Sequence, residues 1–308
     1  MSNKLYIFLL EFMKRRTFVK LGTAAYAASL IPLSCLDKPP RSNQMGLQLF
    51  TVRDAMERDV LETLKSLKAM GYTNFESYGY NVADQTYYGM SPEQFKQMLG
   101  DLGLATNSGH YGFSDYLRAS KDDILRYTDG CIDGASRLGD EYIVWPIVGE
   151  RDRNPEGFKM LVEKLNIIGE RASAAGMGFA YHNFGYEFVE YREFMPYRYI
   201  IEQTDPSQVK LEVDFYWVAH AGVYTPKEVI ELAPGRFPLW HIKDMDKISR
   251  DYTELGSGLI DYTTLMPDPM RAGLKHHYIE QGGNFAQDSM SSVAQSAAYF
   301  QSNLRHLL

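Results

Sequence analysis

The chain has 308 residues, of which 45% are hydrophobic, and its formal net charge is -7. This length permits one large domain or two ordinary ones, with a substantial core. Basic residues form no run beyond the extreme N-terminus, which argues against a nucleic-acid groove because such a groove needs a basic stripe. With two cysteines, neither a disulfide framework nor a cysteine metal site is predicted, and Cys131 is expected to be a buried apolar side chain.

The N-terminus resembles an export signal. The run Lys14–Lys20, with its two consecutive arginines, is similar to a twin-arginine motif, and an apolar stretch from Leu21 to Leu33 follows it. Because this stretch is too short to span a bilayer comfortably, residues 1–35 are predicted to be a signal peptide of the type that exports folded proteins. Met13 is a more natural start for such a signal than the first residue.

The end of this signal leaves the mature form open. Leu33-Ser34-Cys35 resembles a lipoprotein cleavage site, but Pro32 stands where leucine is usual. The exported protein is therefore either free in the periplasm or anchored to the membrane surface by a lipid on Cys35. A disordered basic tail on a cytosolic protein is the alternative. Residues 36–45 are predicted to form a linker.

After the linker the chain repeats an apolar helical face, a glycine and a short strand. Ser91 is followed by proline and then by glutamine at the third helical position, which is the pattern of a capped helix start. Asn154, also followed by proline, predicts a second such start. Gly103 and Gly176 are predicted to end these two helices.

Eight strand candidates are separated by segments that can hold a helix. They begin near Gly46, Thr73, Leu104, Tyr142, Gly178, Val209, Phe237 and His276. Eight βα units over roughly 260 residues predict a single (β/α)8 TIM barrel spanning residues 46–308, since about 250 residues is typical. A doubly wound open sheet is the alternative, but it usually carries a glycine-rich phosphate turn where this chain has Gln48–Arg53.

The fifth to eighth strand candidates each end on a potential metal ligand. These residues are His182, Asp214, His241 and Glu280. The C-terminal ends of parallel neighbours converge, and barrel enzymes carry their chemistry at that end. Two imidazoles and two carboxylates that meet there would suit a divalent cation, so the sequence predicts a metal site.

These residues also have simpler interpretations. Asp214 can cap the following helix, and a single histidine in a strand, such as His241, is more often a core residue. Alternation puts Lys243 on the same side of its strand as His241, which favours a metal ligand beside a cationic substrate contact. For His182 three roles stay open: a metal ligand, a group that binds a sugar hydroxyl, or one that orients Glu187.

Further residues are predicted to point into the barrel at the same C-terminal ends of the strands. His110 follows the third strand and Glu76 follows the second, and both are candidate substrate contacts. Trp145 and Trp217 are weaker candidates of the same kind. The histidines at 276–277 lie near the start of the eighth strand, the wrong end for catalysis, and are predicted to be structural.

Several motifs resemble the xylose-isomerase-like family of sugar isomerases and epimerases. They are His241-Ile242-Lys243-Asp244-Met245, the following Leu255–Tyr262 (LGSGLIDY), Tyr181-His182-Asn183 with Glu187-Phe188, and Asp214–Trp217 (DFYW). The resemblance spans essentially everything after residue 45, and the His-Ile-Lys-Asp block with its Gly-Ser-Gly follower is its most specific part.

The resemblance implies a barrel that binds one divalent metal ion (Mn, Mg, Co or Zn) at the ends of strands five to eight. The family commonly uses Glu, Asp, His and Glu, and the last three fall on Asp214, His241 and Glu280. His182 departs from the pattern, because it stands at the position of the first glutamate. In the epimerases the two glutamates also act as the acid–base pair, so the departure bears on epimerisation more than on the metal site.

The expected chemistry is proton abstraction next to a sugar carbonyl through an enediolate, which gives isomerisation or epimerisation. Glu280 is the expected base, and His182 or Lys243 would return the proton. Expulsion of a β-substituent after the same first step would make a lyase or dehydratase that acts on a keto-sugar or 3-keto-glycoside, as in the related inosose dehydratases. The expected partner is a small sugar or glycoside.

Three alternatives bear on this expectation. Export favours a free sugar, because sugar phosphates are scarce outside the cytoplasm, although Gly256–Gly258 and Gly282-Gly283 lie where many barrels bind phosphate. A phosphodiesterase of the abasic-site endonuclease type would need more metal ligands and a basic groove. A non-catalytic carbohydrate-binding barrel is the third alternative, because the strand-five glutamate is replaced.

Overall fold

The computed structural model describes residues 44–308. The predicted signal peptide at residues 1–35, the lipidation site at Cys35 and most of the linker predicted at residues 36–45 lie outside the described residues. The first strand begins at Met45, one residue before the predicted start of the barrel.

Eight parallel strands close into a barrel. They are β1 (Met45–Gln48), β2 (Tyr72–Tyr78), β3 (Ala105–His110), β4 (Tyr142–Trp145), β5 (Gly178–His182), β6 (Lys210–Asp214), β7 (Leu239–Ile242) and β8 (His276–Ile279). Each strand pairs with the next in chain order, and β8 pairs with β1. This closure confirms the predicted (β/α)8 barrel and excludes the open doubly wound sheet, in which the two edge strands would stay unpaired.

Helices occupy the connections between the strands. They are α1 (Arg53–Arg58), α2 (Val60–Ala69), α3 (Pro92–Asp101), α4 (Lys121–Leu138), α5 (Pro155–Ala174), α6 (Pro196–Gln203), α7 (Phe215–Ala221), α8 (Pro226–Glu231), α9 (Tyr262–Leu265), α10 (Pro269–Ala272) and α11 (Ser289–Tyr299). After β7 a short antiparallel ladder joins Asp244–Met245 to Tyr252–Thr253. Within residues 44–308, no helix has the length and apolarity needed to cross a membrane.

The predicted helix starts are confirmed by their capping bonds. The Ser91 hydroxyl accepts a hydrogen bond from the backbone N–H of Gln94, and the Gln94 side chain accepts one from the backbone N–H of Ser91. The Asn154 side chain accepts from the backbone N–H of Gly157 at the start of α5. These caps satisfy N–H groups that have no partner within the first helical turn.

Strand side chains alternate between two cores. A small apolar cluster fills the inside of the barrel and consists of Tyr142, Val144, Ala180, Leu239 and Tyr278. The larger core lies between the strands and the helices, and it contains Cys131, which is fully buried as predicted. Polar side chains fill the rest of the barrel interior toward the C-terminal ends of the strands.

Candidate metal centre

Strand alternation and register bring the candidate residues together inside the barrel. Residues two apart on a strand face the same side, so Glu212 and Asp214 both point inward from β6. His241 on β7 and Lys243 just after it face inward in the same way, and Asp214 lies beside His241 in the register. Glu280 directly follows β8, which places it at the same end of the barrel.

Asp214 combines the two roles that its sequence allowed. Its Oδ1 accepts a hydrogen bond of 3.2 Å from the backbone N–H of Trp217 and so caps α7. Its Oδ2 faces the barrel interior, 3.3 Å from Nε2 of His182. The helix cap therefore orients the carboxylate and directs its other oxygen into the site.

His182 is oriented by the backbone. Its Nδ1 lies 3.0 Å from the carbonyl oxygen of Pro146, and since a carbonyl only accepts, Nδ1 carries the proton and Nε2 the lone pair. Burial lowers the pKa of His182, which keeps the ring neutral. The idea that it orients Glu187 is wrong, because Glu187 accepts its hydrogen bonds from the Tyr181 hydroxyl and the Phe184 N–H.

His241 lies between two sets of carboxylates. Its Nε2 is 2.6 Å from Oε2 of Glu76 and 3.3 Å from Oε1 of Glu212, whereas its Nδ1 is 2.6 Å from Oε2 of Glu280. Burial opposes protonation of the ring, but Glu212, Glu280 and Glu76 together raise the pKa of His241 well above its usual value. Glu76 accepts the Nε2 proton, which leaves Nδ1 to face Glu280 and Asp214.

Four atoms without hydrogen bonds converge at this point. They are Nε2 of His182, Oδ2 of Asp214, Nδ1 of His241 and Oε2 of Glu280. All four are buried and lie within 4.8 Å of one another. Among the described residues the close neighbours of these atoms are one another and the Lys243 ammonium, and such a cluster of buried ligand atoms indicates a site for a shared cation. Two imidazole nitrogens and two carboxylate oxygens fit a divalent cation, and the residues present therefore suit the metal that the sequence predicted.

Lys243 contacts the same two carboxylates. Its Nζ is 2.6 Å from Oδ2 of Asp214 and 2.7 Å from Oε2 of Glu280, as ion-pair contacts. Burial disfavours the charge on each of these groups, but the pairing raises the pKa of Lys243 and lowers those of Asp214 and Glu280. The ammonium thus balances charge at the site itself, a role that the predicted substrate contact did not include.

A second polar layer lies beneath these ligands. The predicted position of Glu76 after β2 is wrong, because Glu76 lies within the strand and is fully buried. Gln48 and Ser108 donate hydrogen bonds of 2.7 Å to its two carboxylate oxygens. His110 bridges Glu76 at 3.1 Å and Glu212 at 2.8 Å through Nε2, and despite burial these carboxylates raise the pKa of His110 to about 9.

This layer forms a second group of candidate ligand atoms with His241. Most of its atoms already have protein partners, so we assign it to orienting His241. Glu212 is the member that the sequence reasoning missed, because it lies two residues before the strand end. The alternation that placed Lys243 beside His241 would have placed Glu212 beside Asp214.

The two predicted tryptophan contacts differ in position. Trp145 is fully buried, stacks on Phe113 and donates its indole N–H to the carbonyl of Ile147. Its predicted role in substrate binding is wrong, since alternation on β4 turns it toward the helices. Trp217 is partly buried with its ring 5.0 Å from Phe184, and the Phe184 ring is 5.2 Å from that of His182, so these aromatic rings extend outward from the site.

Asp244 holds the glycine-containing loop after β7. Its Oδ2 accepts hydrogen bonds from the N–H groups of Gly256 and Gly258, at 2.9 and 3.0 Å. Its Oδ1 accepts from Met245 and Ile260, at 2.8 and 3.0 Å. A side chain on Gly258 would collide with the Asp244 carboxylate, so this position requires glycine. These amides are therefore already bonded within the protein and are not available to a phosphate.

The chain matches no curated protein but is similar to several solved structures. Among solved structures it is similar to a sugar phosphate isomerase/epimerase from Parabacteroides distasonis ATCC 8503, with 27% identity over 85% of this chain and 94% of that one, and a TM-score of 0.74.

Two more distant structures share the fold. An L-ribulose 3-epimerase has 17% identity over 86% of this chain and 95% of that one, with a TM-score of 0.65. A "probable 3-DHS dehydratase" from Bacillus anthracis has 11% identity over 84% of this chain and 98% of that one, also with a TM-score of 0.65. The family model described as "Xylose isomerase-like TIM barrel" matches residues 64–268, more than half of the chain. The chain therefore belongs to the xylose isomerase-like TIM barrel family.

Proposed function

We propose that the chain is a metal-dependent sugar isomerase or epimerase that removes a proton from the carbon next to a sugar carbonyl. The observation that carries this proposal is the convergence of four buried ligand atoms without hydrogen bonds at the ends of strands five to eight. Membership of a family of largely such enzymes supports it, as does the likeness to a sugar phosphate isomerase/epimerase.

Different residues of the site contribute to the proposed first step, which is removal of the proton next to the carbonyl. A bound divalent cation would supply Lewis acidity toward the carbonyl and adjacent hydroxyl oxygens of the sugar. Glu280 is the most exposed of the four proposed ligands and is ionised, as a proton acceptor must be. The Lys243 ammonium lies 2.7 Å from Glu280, where it can donate a hydrogen bond to the substrate oxygen that gains charge.

Return of the proton is where His182 matters. With Nδ1–H donated to Pro146 and Nε2 directed at the metal position, His182 has no proton to deliver. This arrangement supports His182 as a ligand, and it leaves Lys243 to return the proton. A second acid–base residue on strand five, which a two-base epimerisation would use, is therefore replaced by a ligand.

That replacement favours a second candidate, a lyase or dehydratase that acts on a keto-sugar or 3-keto-glycoside. Elimination after the first step needs Glu280 as the only base, because the electrons of the broken C–H bond form the new carbon–carbon double bond and the β-substituent leaves with the electrons of its own bond to carbon. Lys243 would then assist departure of that substituent. The two outcomes share the first step and differ only in the product.

The loop after β7 supports an unphosphorylated substrate. The N–H groups of Gly256 and Gly258 donate to the buried Asp244 carboxylate, so these donors are already occupied and are not available to a substrate phosphate. Export, which we also propose from the twin-arginine-like motif, would lead to the same substrate class. Secretion of the full chain that stops when Arg15 and Arg16 are both changed to lysine would support export.

Metal content and solvent exchange test the proposal. The purified protein should bind one divalent ion per chain and gain thermal stability from it. Keto-sugars and glycosides incubated with the loaded protein in deuterated water should acquire deuterium next to the carbonyl. An epimer or isomer indicates the first candidate, and loss of a substituent indicates the second. A protein that binds no divalent ion would leave the non-catalytic carbohydrate-binding alternative.

A further inference from the structure

The proposed metal centre offers as many nitrogen as oxygen donor atoms. His182 and His241 each present one imidazole nitrogen, and Asp214 and Glu280 each present one carboxylate oxygen. Imidazole suits zinc, ferrous iron, cobalt and nickel, whereas magnesium and manganese prefer carboxylate, carbonyl and water oxygens. Half of this set therefore consists of ligands that the harder cations bind poorly.

The tautomer of each ring is set by a separate partner. The Pro146 carbonyl accepts from Nδ1 of His182 at 3.0 Å, which directs Nε2 into the site. The carboxylate of Glu76 accepts a hydrogen bond from Nε2 of His241 at 2.6 Å, and this contact directs Nδ1 into the site. Such outer partners orient a ligating imidazole and raise its basicity. Nε2 of His182 thus faces the site with its lone pair, whereas Nδ1 of His241 is oriented toward the site and would give up its proton when a cation binds.

The charges at the site also favour a cation that prefers nitrogen ligands. Asp214 and Glu280 supply two negative charges, and the Lys243 ammonium, 2.6 and 2.7 Å from their oxygens, cancels one of them. A hard cation gains most of its binding energy from anionic oxygens, so an ammonium on the same two oxygens weakens its binding most. A softer cation keeps its bonds to the two nitrogens.

We propose that His182 makes this centre selective for a metal of the zinc, cobalt, nickel or ferrous iron class over magnesium and manganese. The inference rests on the proposed function only in requiring a divalent cation at these four residues. It assigns His182 as the residue that determines metal choice, because the other nitrogen ligand, His241, lies deeper and is held by the second polar layer.

The test is a metal titration of the full-length, metal-stripped protein. Dissociation constants for zinc, cobalt, manganese and magnesium are measured for the wild type, His182→Glu and His182→Gln. Zinc exceeds manganese at most protein sites, so the readout is the zinc-to-manganese affinity ratio of each variant rather than either value alone. We expect His182→Glu to lower this ratio by about 10–100-fold, a range that changes of even the outer partners of metal ligands produce.

The visible absorption of bound cobalt gives a second readout. His182→Glu removes a nitrogen ligand and should shift the cobalt spectrum, whereas His277→Gln should leave it unchanged. His277 is the matched control, since it is also a buried strand histidine without hydrogen bonds but lies at the start of β8. If His182→Glu does not fold, His182→Gln must still lower zinc and cobalt affinity more than manganese affinity.

The outcomes separate this inference from the proposed function. An equal zinc-to-manganese ratio in the wild type and both His182 variants, with metal still bound, overturns the inference and leaves the function standing. Failure of the wild type to bind any of the four cations removes the metal site, and with it both proposals. A lowered ratio with an unchanged His277→Gln control establishes His182 as the determinant.

Discussion

Lys243 and Asp214 form a buried ion pair inside the barrel, with Nζ 2.6 Å from Oδ2 and both side chains almost fully excluded from solvent. The same ammonium contacts Glu280, so it compensates two carboxylates that a metal would also bind. Lys243 and a bound cation would therefore stabilise the same negative charge. One of them must be present for the buried carboxylates to remain ionised at low cost.

Replacing Lys243 with methionine should have opposite effects on folding and on metal binding. Loss of the ammonium leaves buried charge uncompensated, which should cost about 3–5 kcal/mol in the metal-free protein. A divalent cation should then bind more tightly and restore more stability than it adds to the wild type. Thermal unfolding with and without zinc measures both effects.

Lys164→Met is the matched control for this variant. Lys164 is also buried, but its Nζ donates to the carbonyl of Ala119, far along the chain from the site residues. This change should lower the free energy of unfolding without altering the stabilisation by zinc. If Lys243→Met gained no more from zinc than the wild type, the shared-charge interpretation would be refuted.

Glu76→Gln tests whether the second polar layer orients a metal ligand. The Glu76 carboxylate accepts a hydrogen bond from Nε2–H of His241, and a glutamine amide would hold that tautomer less firmly. Metal affinity should fall by about 10–100-fold, as for other outer partners of ligating histidines. Calorimetric titration of the metal-stripped protein provides the measurement.

Glu254→Gln separates this effect from general destabilisation. Glu254 is another buried carboxylate, which accepts hydrogen bonds from Ser292 and Ala286. Its change should reduce stability and leave metal affinity intact. Comparable losses of affinity in the two variants would show that Glu76 has no particular part in holding His241.

Protonation of His277 is expected to lower the free energy of unfolding in mild acid. Burial lowers its pKa from 6.5 to about 4, so the folded state binds fewer protons than the unfolded state between these values. The stability that neutral, buried His277 contributes is complete above the pKa of His277 in the unfolded state. It declines as the pH falls toward the pKa of His277 in the folded state. From the linkage relation the loss between pH 7 and pH 5 is about 2 kcal/mol.

The variant His277→Phe should reduce that pH dependence. The ring of His277 stacks on Phe300 at 5.3 Å, so a phenyl ring can fill the same apolar space. Urea unfolding of the wild type and the variant at several pH values gives the difference between them, which cancels the other titrating groups. Parallel curves for the two proteins between pH 7 and pH 5 would disprove the assignment.

The sequence predicted the barrel and most of the site because both depend on regular geometry. The eight strand candidates all correspond to barrel strands, and Asp214, His241 and Glu280 lie close together because each lies within one residue of the C-terminal end of one of three neighbouring parallel strands. Glu212 was not predicted, because it lies two residues before the end of its strand. The prediction for Trp145 was wrong because strand alternation turns its side chain outward, toward the helices.

Other features depend on distances between strands and could not be predicted. The ion pairs of Lys243 with two carboxylates, and the acceptance of the His182 proton by Pro146, join residues from different strands or loops. Periodicity within one segment contains no information about such contacts. For His182 this contact mattered most, because it distinguishes a ligand from a proton donor.

Solvent exchange with a Glu280 variant reports on the proposed removal of the proton itself. The metal-loaded wild type and Glu280→Gln are incubated with a reactive keto-sugar or glycoside in deuterated water, and deuterium at the carbon next to the carbonyl is measured over time. We predict exchange in the wild type, none without metal, and none in Glu280→Gln even when that variant is saturated with metal. Exchange in saturated Glu280→Gln at the wild-type rate would contradict it.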